Sequence, residues 1–162
     1  MTASRYLRLA LVPLGTVILM QSSVVVSRSF ANLGVTELHD ILRLRGDVFV
    51  VEQACVYADI DGRDTEPTTD HHWIERSGSI ATYARTLADH GATRMGRVVT
   101  APRFRGDGLA AVLVTHIVET YRGRIVLDAQ SYLVGWYERM GFVVTGPEFM
   151  DDGIPHVPMA IR

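Results

Sequence analysis

Apolar and polar residues alternate along several short stretches of the first half of the chain, a pattern typical of β-strands. The strands predicted from this pattern are residues 23–30, 71–75, 80–87 and 95–101. Ser77-Gly78-Ser79 predicts the turn of a hairpin between the second and third strands, and His90-Gly91 predicts the next turn. This half of the chain therefore predicts strands that are joined by tight turns.

Apolar residues recur at intervals of three and four in three other segments, which predicts amphipathic helices. These helices are residues 36–50, 109–123 and 133–140. Thr36 can cap the first helix, and Gly123 and Gly141 suit the ends of the other two. Further strands are predicted at residues 124–129, 142–145 and 156–161, and a long polar loop precedes the hairpin.

The predicted elements follow the order strand, helix, three strands, helix, strand, helix and two strands. This order predicts one α/β domain, with antiparallel and parallel pairs in a central sheet that helices flank. Three consecutive strands interrupt the alternation that a doubly wound dinucleotide-binding fold requires. The chain has 162 residues, 48% hydrophobic and 21% charged, which suits one domain with a core and excludes a disordered or coiled-coil protein.

Residues 1–22 differ from the rest, and we predict that the folded domain spans residues 23–162. Residues 9–20 carry no charge and follow Arg5 and Arg8, as the apolar part of a secretory signal would. The stretch is shorter than the ~20 residues of a membrane-spanning helix, and no small-x-small cleavage site follows it. These features favour a tail, or sequence upstream of a true start at Met20, over a secretory signal.

The ionisable residues exclude several kinds of chemistry. The 16 basic residues are all arginine, and 18 acidic residues bring the net charge to −2. The absence of lysine excludes Schiff-base catalysis and a lysine-bearing phosphate loop, and the balanced charge does not favour nucleic acid. Cys55 is the single cysteine, so it cannot form an internal disulfide or a cysteine-based zinc site. His71 and His72 would face opposite sides of a strand, so no metal site is predicted.

A glycine-rich turn joins the strand at residues 95–101 to the second helix. The segment Arg103-Phe104-Arg105-Gly106-Asp107-Gly108 contains two arginines and two glycines. Glycines let the backbone approach a bulky anion, and the free N–H groups and dipole of a helix N-terminus stabilise its charge. The turn is therefore a candidate site for a phosphate or pyrophosphate. The alternative is an ordinary surface turn whose arginines face solvent.

The spacing Arg103-x-x-Gly106-x-Gly108 resembles the R/Q-x-x-G-x-G/A element of the GNAT acetyltransferases. Tyr137-x-x-x-Gly141-Phe142 resembles the Tyr-x-x-x-Gly-Phe signature of the same family. Three further segments are similar to the ElaA-like branch, namely residues 42–53, 61–64 and 152–156. All five segments occur in the family's order between positions 23 and 162. Asp107 and Asp128 depart from the usual pattern, and Asp107 would have to point to solvent.

The resemblance implies a GNAT-like domain that transfers an acetyl group from acetyl-CoA to a primary amine by direct attack. The cofactor-binding residues that it implies are Val98, Val99, Arg103, Arg105, Gly106, Asp107, Gly108, Leu109, Ala110 and Gln130. A backbone N–H on the strand Val98-Val99 is expected to stabilise the oxyanion, an effect of about 3 kcal/mol. Tyr137 is expected to protonate the leaving thiolate, and the alternative role for its ring is packing.

The sequence does not fix the general base. Glu52 is the first candidate because it follows the first helix, where acceptor pockets of the family are built. Asp128 and His156 are alternatives, and an amine can also lose its proton to water. The acidic residues between Asp59 and Asp70 are either solvated or attract a cationic amine acceptor.

The expected partner is a small-molecule or peptide amine, with acetyl-CoA as co-substrate and without metal, nucleic acid or membrane. The expected location is the cytoplasm, and the expected state is a monomer or homodimer. The alternative function is a module that binds or senses acyl-CoA without turning it over. A secreted or membrane-tethered domain is a third possibility, which depends on the first twenty residues alone.

Overall fold

The strands form one eight-stranded sheet in the computed structural model, which describes residues 24–162. They are β1 (Val25–Ser29), β2 (Asp70–Arg76), β3 (Ser79–Asp89), β4 (Ala92–Thr100), β5 (Ile125–Gln130), β6 (Val143–Val144), β7 (Phe149–Asp151) and β8 (Ile154–Ile161). The order is β1-β2-β3-β4-β5-β8-β6, and β7 also pairs with β8. Within the described range β4 and β5 pair in parallel and the other pairs are antiparallel, so the predicted mixed sheet is confirmed.

The α-helices of the described residues flank the sheet, and they are α1 (Val35–Arg45), α2 (Leu109–Thr120) and α3 (Val134–Glu138). The first helix begins one residue before Thr36, with Gly34 at the N-cap. The N–H of Gly34 donates to Glu37 Oε2 at 2.8 Å, so the carboxylate of the first turn binds the N-cap backbone, while the predicted hydroxyl cap is not formed because Gly34 has no side chain. The helical path continues beyond α1 as a wider π-helical segment, Gly46–Glu52, which takes the chain close to the predicted end of this helix.

The sheet separates two hydrophobic clusters. One face packs against α2 and α3 through buried residues that include Met95, Leu113, Ile117, Leu127 and Phe142. The other face packs against α1 and the π-helical segment through Ile41, Val48, Trp73, Tyr83 and Val99. The apolar faces predicted for the helices are therefore the faces that cover the sheet.

β7 was not predicted, because its three residues are all exposed and show no buried alternation. It pairs with β8 through the tight turn at Asp152 and Gly153, which have φ angles of 47° and 81°. Positive φ at both central residues is the geometry of a two-residue hairpin, which explains the turn that the sequence predicts there.

No helix within residues 24–162 is long and apolar enough to cross a membrane. The predictions for residues 1–22 lie outside the described residues, and the predicted location stays a prediction.

Candidate functional site

β4 and β5 pair over only two residues before they separate. The parallel register joins Thr93 to Ile125 and Arg94 to Val126, and no further pair of these strands follows in the described part of the chain. A β-bulge in β4 lies where the two strands separate. Tyr83 pairs with Val99 and Arg85 pairs with Gly96, so one residue of β3 between these pairs faces two residues of β4. The extra residue bends β4, and the two strands open into a cleft.

The edge of β4 that faces β5 carries free backbone groups beyond the bulge. Ala101 donates its N–H to the Ala81 carbonyl on β3 at 2.8 Å, and Val99 pairs with Tyr83 on the same strand. Because backbone groups alternate along a strand, the N–H groups of Val98 and Thr100 point away from β3, into the cleft. The Thr100 carbonyl points the same way, since it accepts Arg105 Nε at 3.2 Å.

The cleft has a volume of about 890 Å³. It is lined by β4 and β5, the glycine-rich turn, α3, the π-helical segment and the start of β8. Most of the predicted site residues line it, namely Glu52, Val98, Val99, Arg105, Gly106, Gly108, Leu109, Ala110, Gln130 and Tyr137. Arg103 and Asp107 are exposed and are not among the lining residues. Asp107 thus points to solvent, as the sequence comparison required.

The N-terminus of α2 directs three backbone donors toward the cleft. The first helical hydrogen bond runs from Val112 N to the Gly108 carbonyl at 3.2 Å, so the N–H groups of Leu109, Ala110 and Ala111 have no partner in the helix. Gly106 and Gly108 have φ angles of 86° and 76°, and a Cβ at either would meet nothing within 4 Å. Glycine is therefore required by backbone conformation, and the turn leaves open space for an anion.

The two arginines of the turn are already engaged. Arg105 forms a bidentate pair with Glu52 at 2.7 and 2.9 Å, and Arg103 stacks on the Phe104 ring at 4.6 Å. The hydrogen bond from Arg105 holds the pKa of the Glu52 carboxyl below its ordinary value. A carboxylate with a lowered pKa is a weaker proton acceptor, so this contact does not favour Glu52 as a base.

Tyr137 lies on α3 with its ring in the hydrophobic cluster beneath the cleft. Its side chain is 5% exposed, and it packs edge-on against Trp136 and Phe142 at centroid distances of 4.7 and 5.6 Å. The hydroxyl has no hydrogen-bond partner among residues 24–162. Burial raises the pKa of Tyr137 above its ordinary value, so the phenol stays protonated at neutral pH.

The other two candidate bases lie on the sheet face away from α2. Leu127 and Ala129 belong to the cluster under α2, so alternation places Asp128 and Gln130 on the opposite face, together with His156, which pairs with Gln130. Asp128 accepts Arg94 Nη1 at 2.6 Å.

His156 Nδ1 lies 2.9 Å from the Ile154 carbonyl. Because a carbonyl only accepts, Nδ1 carries the hydrogen, and Nε2 of the neutral ring is left as an acceptor.

The polar loop between α1 and β2 is not a free acidic patch. Asp59 and Asp64 are buried and Asp61 is exposed, and all three pair with arginines, namely Arg45, Arg85 and Arg97. The idea that this loop attracts a cationic acceptor is therefore not supported for these carboxylates, since arginines of the same chain match their charge. Arg45 shares the helical spacing of Leu38 and Ile41, and an arginine among these apolar positions is the sequence signal of its burial.

His71 and His72 face opposite sides of the sheet, as predicted from their adjacency. His71 lies 2.8 Å from the Tyr83 hydroxyl and donates to the Asp64 carbonyl, whereas His72 contacts Ser27 and Thr86. Burial lowers the pKa of both imidazoles. Residues 24–162 contain no group of three or more histidine, cysteine or acidic side chains placed to hold a metal ion.

Comparison with known proteins identifies the family. The acetyltransferase (GNAT) domain matches residues 40–162. The UPF0039 protein Mb2876c of Mycobacterium bovis is 41% identical over 134 residues, which cover 79% of this chain and 86% of that protein. Protein ElaA of Escherichia coli is 34% identical over 138 residues, 80% of this chain and 90% of ElaA.

Two crystal structures share the fold of this chain over nearly their whole length. The structure of Escherichia coli ElaA gives a TM-score of 0.81 at 30% identity, and covers 86% of this chain and 99% of that one. An acyl-CoA N-acyltransferase from Pseudomonas aeruginosa gives a TM-score of 0.81 at 34% identity with the same coverage, 86% and 99%. The chain therefore belongs to the GNAT acetyltransferase family, in its ElaA-like branch.

Proposed function

We propose that this protein transfers an acetyl group from acetyl-CoA to a primary amine, on a small molecule or a peptide. Membership of the GNAT family supports acyl transfer from a CoA thioester. The observation that carries the proposal is the cleft itself, where free backbone groups of β4 lie beside the unpaired N-terminus of α2. A ligand such as CoA, which joins a diphosphate to a long polar arm, would find backbone N–H donors for both parts in this cleft.

The turn from Gly106 to Ala110 would hold the pyrophosphate. Its N–H groups and the dipole of α2 stabilise negative charge, and no side-chain cap at Gly108 competes for them. Arg105 can also donate to this anion while it keeps its exposed pair with Glu52, since that pair and the Thr100 carbonyl use only three of the five N–H groups of its guanidinium. Val98 and Thr100 would bind the amides of the pantetheine arm as an added strand does, with Gln130 on the opposite wall.

The thioester carbonyl would be polarised by the N–H of Val98. This narrows the sequence prediction of Val98 or Val99, because the N–H of Val99 faces β3. Attack by the amine forms the C–N bond and a tetrahedral oxyanion, and a fixed donor at such an oxygen lowers the barrier by about 3 kcal/mol.

Tyr137 would donate its proton to the sulfur when the C–S bond breaks. The raised pKa of Tyr137 keeps the acid in its protonated form across neutral pH. The same burial makes the phenol a weaker acid, so the transfer requires the developing thiolate to lie within hydrogen-bond distance of the hydroxyl.

His156 is the base that the geometry favours, with Glu52 as the alternative. Glu52 and Asp128 are each held by an arginine, while Nε2 of His156 is free to take the proton of the incoming amine. His156 also lies on the sheet face opposite α2, from which an acceptor can approach a cofactor seated at the N-terminus of that helix.

The test is release of CoA thiol from acetyl-CoA with a panel of polyamines, peptides with free N-termini and simple amines, coupled to mass measurement of the products. We expect amine-dependent thiol release with a 42 Da mass gain, the mass of an added acetyl group, on at least one acceptor class. Saturable CoA binding with no turnover on any amine would favour the sensing module. Absence of CoA binding would reject both readings.

A further inference from the structure

We propose that Arg97 is a positioning residue for acyl transfer, which holds the bulge of β4 in the conformation that directs the Val98 N–H into the cleft. This inference rests on the proposed function of the cleft. It concerns a side chain that need not touch the substrate, and acts through the backbone next to it.

The backbone at Arg97 is unusual for its place in the fold. Its φ angle is 54°, in the left-handed region that residues with a Cβ rarely adopt. Three other non-glycine residues with positive φ precede a glycine in hairpin turns, namely Ser77, His90 and Asp152. Arg97 instead lies inside a strand, so the conformation there must be held by contacts of its own side chain or neighbours.

The guanidinium of Arg97 is held on three sides. Its Nε lies 2.8 Å from Asp59 Oδ1, and its Nη2 lies 3.1 Å from Asp61 Oδ2. Its central carbon lies 5.4 Å from the centroid of the Tyr57 ring, where a cation is attracted by the ring face. Together these contacts fix the direction in which the side chain leaves the strand.

The two carboxylates are themselves anchored to the rigid parts of the domain. Asp59 accepts Arg45 Nε at 2.9 Å, and the Arg45 side chain on α1 is fully buried. Asp61 accepts both Nη atoms of Arg85, at 2.8 and 2.6 Å. Arg85 lies on β3 and pairs with Gly96 on β4, next to the bulge, so the contacts run from the sheet through the loop and back to the bulged strand.

The bulge determines which backbone groups face the cleft. Backbone direction alternates along a strand, so the one extra residue at the bulge shifts the alternation of every residue that follows. Were β4 to pair regularly with β3 from Gly96 onward, the N–H of Val98 would turn toward β3 and that of Val99 toward the cleft. The contacts of Arg97 therefore maintain the orientation on which the proposed oxyanion donor depends.

Two substitutions at this position separate the conformation from the contacts. Arg97→Ala removes the side-chain contacts, and alanine is still disfavoured at the positive φ of this position. We therefore expect kcat to fall about 10- to 100-fold, which is part of the effect of losing an oxyanion donor. The Kd for CoA should rise by a smaller factor than kcat falls, because the pyrophosphate turn is untouched and only the contacts of Val98 and Thr100 with the pantetheine arm are weakened. Arg97→Gly also loses the contacts but accepts positive φ, so its kcat should lie between Arg97→Ala and the wild type.

The direct readout is the infrared stretch of the ¹³C-labelled thioester carbonyl of bound acetyl-CoA. We expect binding to the wild type to lower this frequency, and Arg97→Ala to lose most of that shift. Arg43→Ala, which removes an exposed arginine paired with Asp40 on α1, is the matched control and should retain both kcat and the shift. Far-ultraviolet circular dichroism and thermal unfolding confirm that each variant is folded.

The inference is overturned if folded Arg97→Ala keeps wild-type kcat and carbonyl shift, or if Arg97→Gly is as impaired as Arg97→Ala. Either result leaves the proposed function intact, because both are comparisons with a wild-type enzyme that is active. Failure of the wild type to release thiol is the separate outcome that rejects the function.

Discussion

Replacing Tyr137 by phenylalanine removes one hydroxyl and preserves the packing of the ring. The ring contacts with Trp136 and Phe142, at 4.7 and 5.6 Å, involve ring atoms that both residue types share. With the side chain 5% exposed, nearly all of its apolar burial is retained. The substitution therefore separates the chemical role of the hydroxyl from the structural role of the ring.

The two roles predict different magnitudes. A hydroxyl without a protein partner contributes little to folding, so the free energy of unfolding of Tyr137→Phe should differ from the wild type by less than about 1 kcal/mol. A general acid typically contributes 10²- to 10⁴-fold to rate, so kcat should fall by about 100-fold or more. That loss corresponds to about 3 kcal/mol of barrier at 1.36 kcal/mol for each factor of ten. CoA affinity should be unchanged.

The assay is steady-state thiol release at saturating acetyl-CoA, with urea unfolding and calorimetric CoA binding on the same preparations. In the wild type, kcat should show no loss from ionisation of Tyr137 as pH rises from 7 to 9, since burial raises the pKa of this phenol. A folded Tyr137→Phe enzyme with wild-type kcat would refute the acid role and leave the ring as a packing group.

Three further predictions use other residues. Glu52→Gln should keep kcat within about threefold while His156→Gln lowers it about 100-fold, and the reverse order in the same thiol assay would make Glu52 the base. Gly108→Ala should lose about 1–2 kcal/mol of unfolding free energy and bind CoA more weakly, because φ at this position is 76°. The control, Gly135→Ala in α3, should leave stability unchanged or slightly increased. Equal effects of the two substitutions in urea unfolding and in calorimetric CoA binding would contradict this prediction. Burial lowers the pKa of His72 to about 4, so the unfolded chain takes up a proton near pH 6.5 before the folded one does, and about 3 kcal/mol of stability should be lost as pH falls from 6.5 to 4. Urea unfolding across that range should show a smaller loss for His72→Gln, and an equal loss would assign the effect to other groups.

Periodicity predicted the elements whose faces are buried. α2 and β5 were predicted from apolar spacing because Leu113 and Ile117 on the helix and Leu127 on the strand all enter one cluster. The glycine-rich turn was predicted because positive φ restricts the choice of residue, as at Gly106 and Gly108. At such positions burial or backbone conformation restricts the residue type, so the structure can be predicted from the sequence.

Other features depend on contacts between distant residues and could not be predicted in this way. The bulge at Arg97 is seen only in the pairing with β3, and the ion pairs of Arg97 join it to Asp59 and Asp61, which lie more than thirty residues earlier. The pair between Arg105 and Glu52 joins two predicted site residues, and it lowers the pKa of the Glu52 carboxyl. Most of the candidate residues therefore line one cleft, as their positions in the sequence suggested, while their partners could be read only from the three-dimensional arrangement.

Calorimetric titration of the purified protein with CoA, and separately with pantetheine, tests the central claim most directly. If the N-terminus of α2 and its glycine turn hold a diphosphate, CoA should bind with a saturable heat at a single site, and pantetheine, which lacks the diphosphate, should bind at least about tenfold more weakly. Equal affinity for the two ligands, or no heat from either at millimolar concentration, would contradict the account.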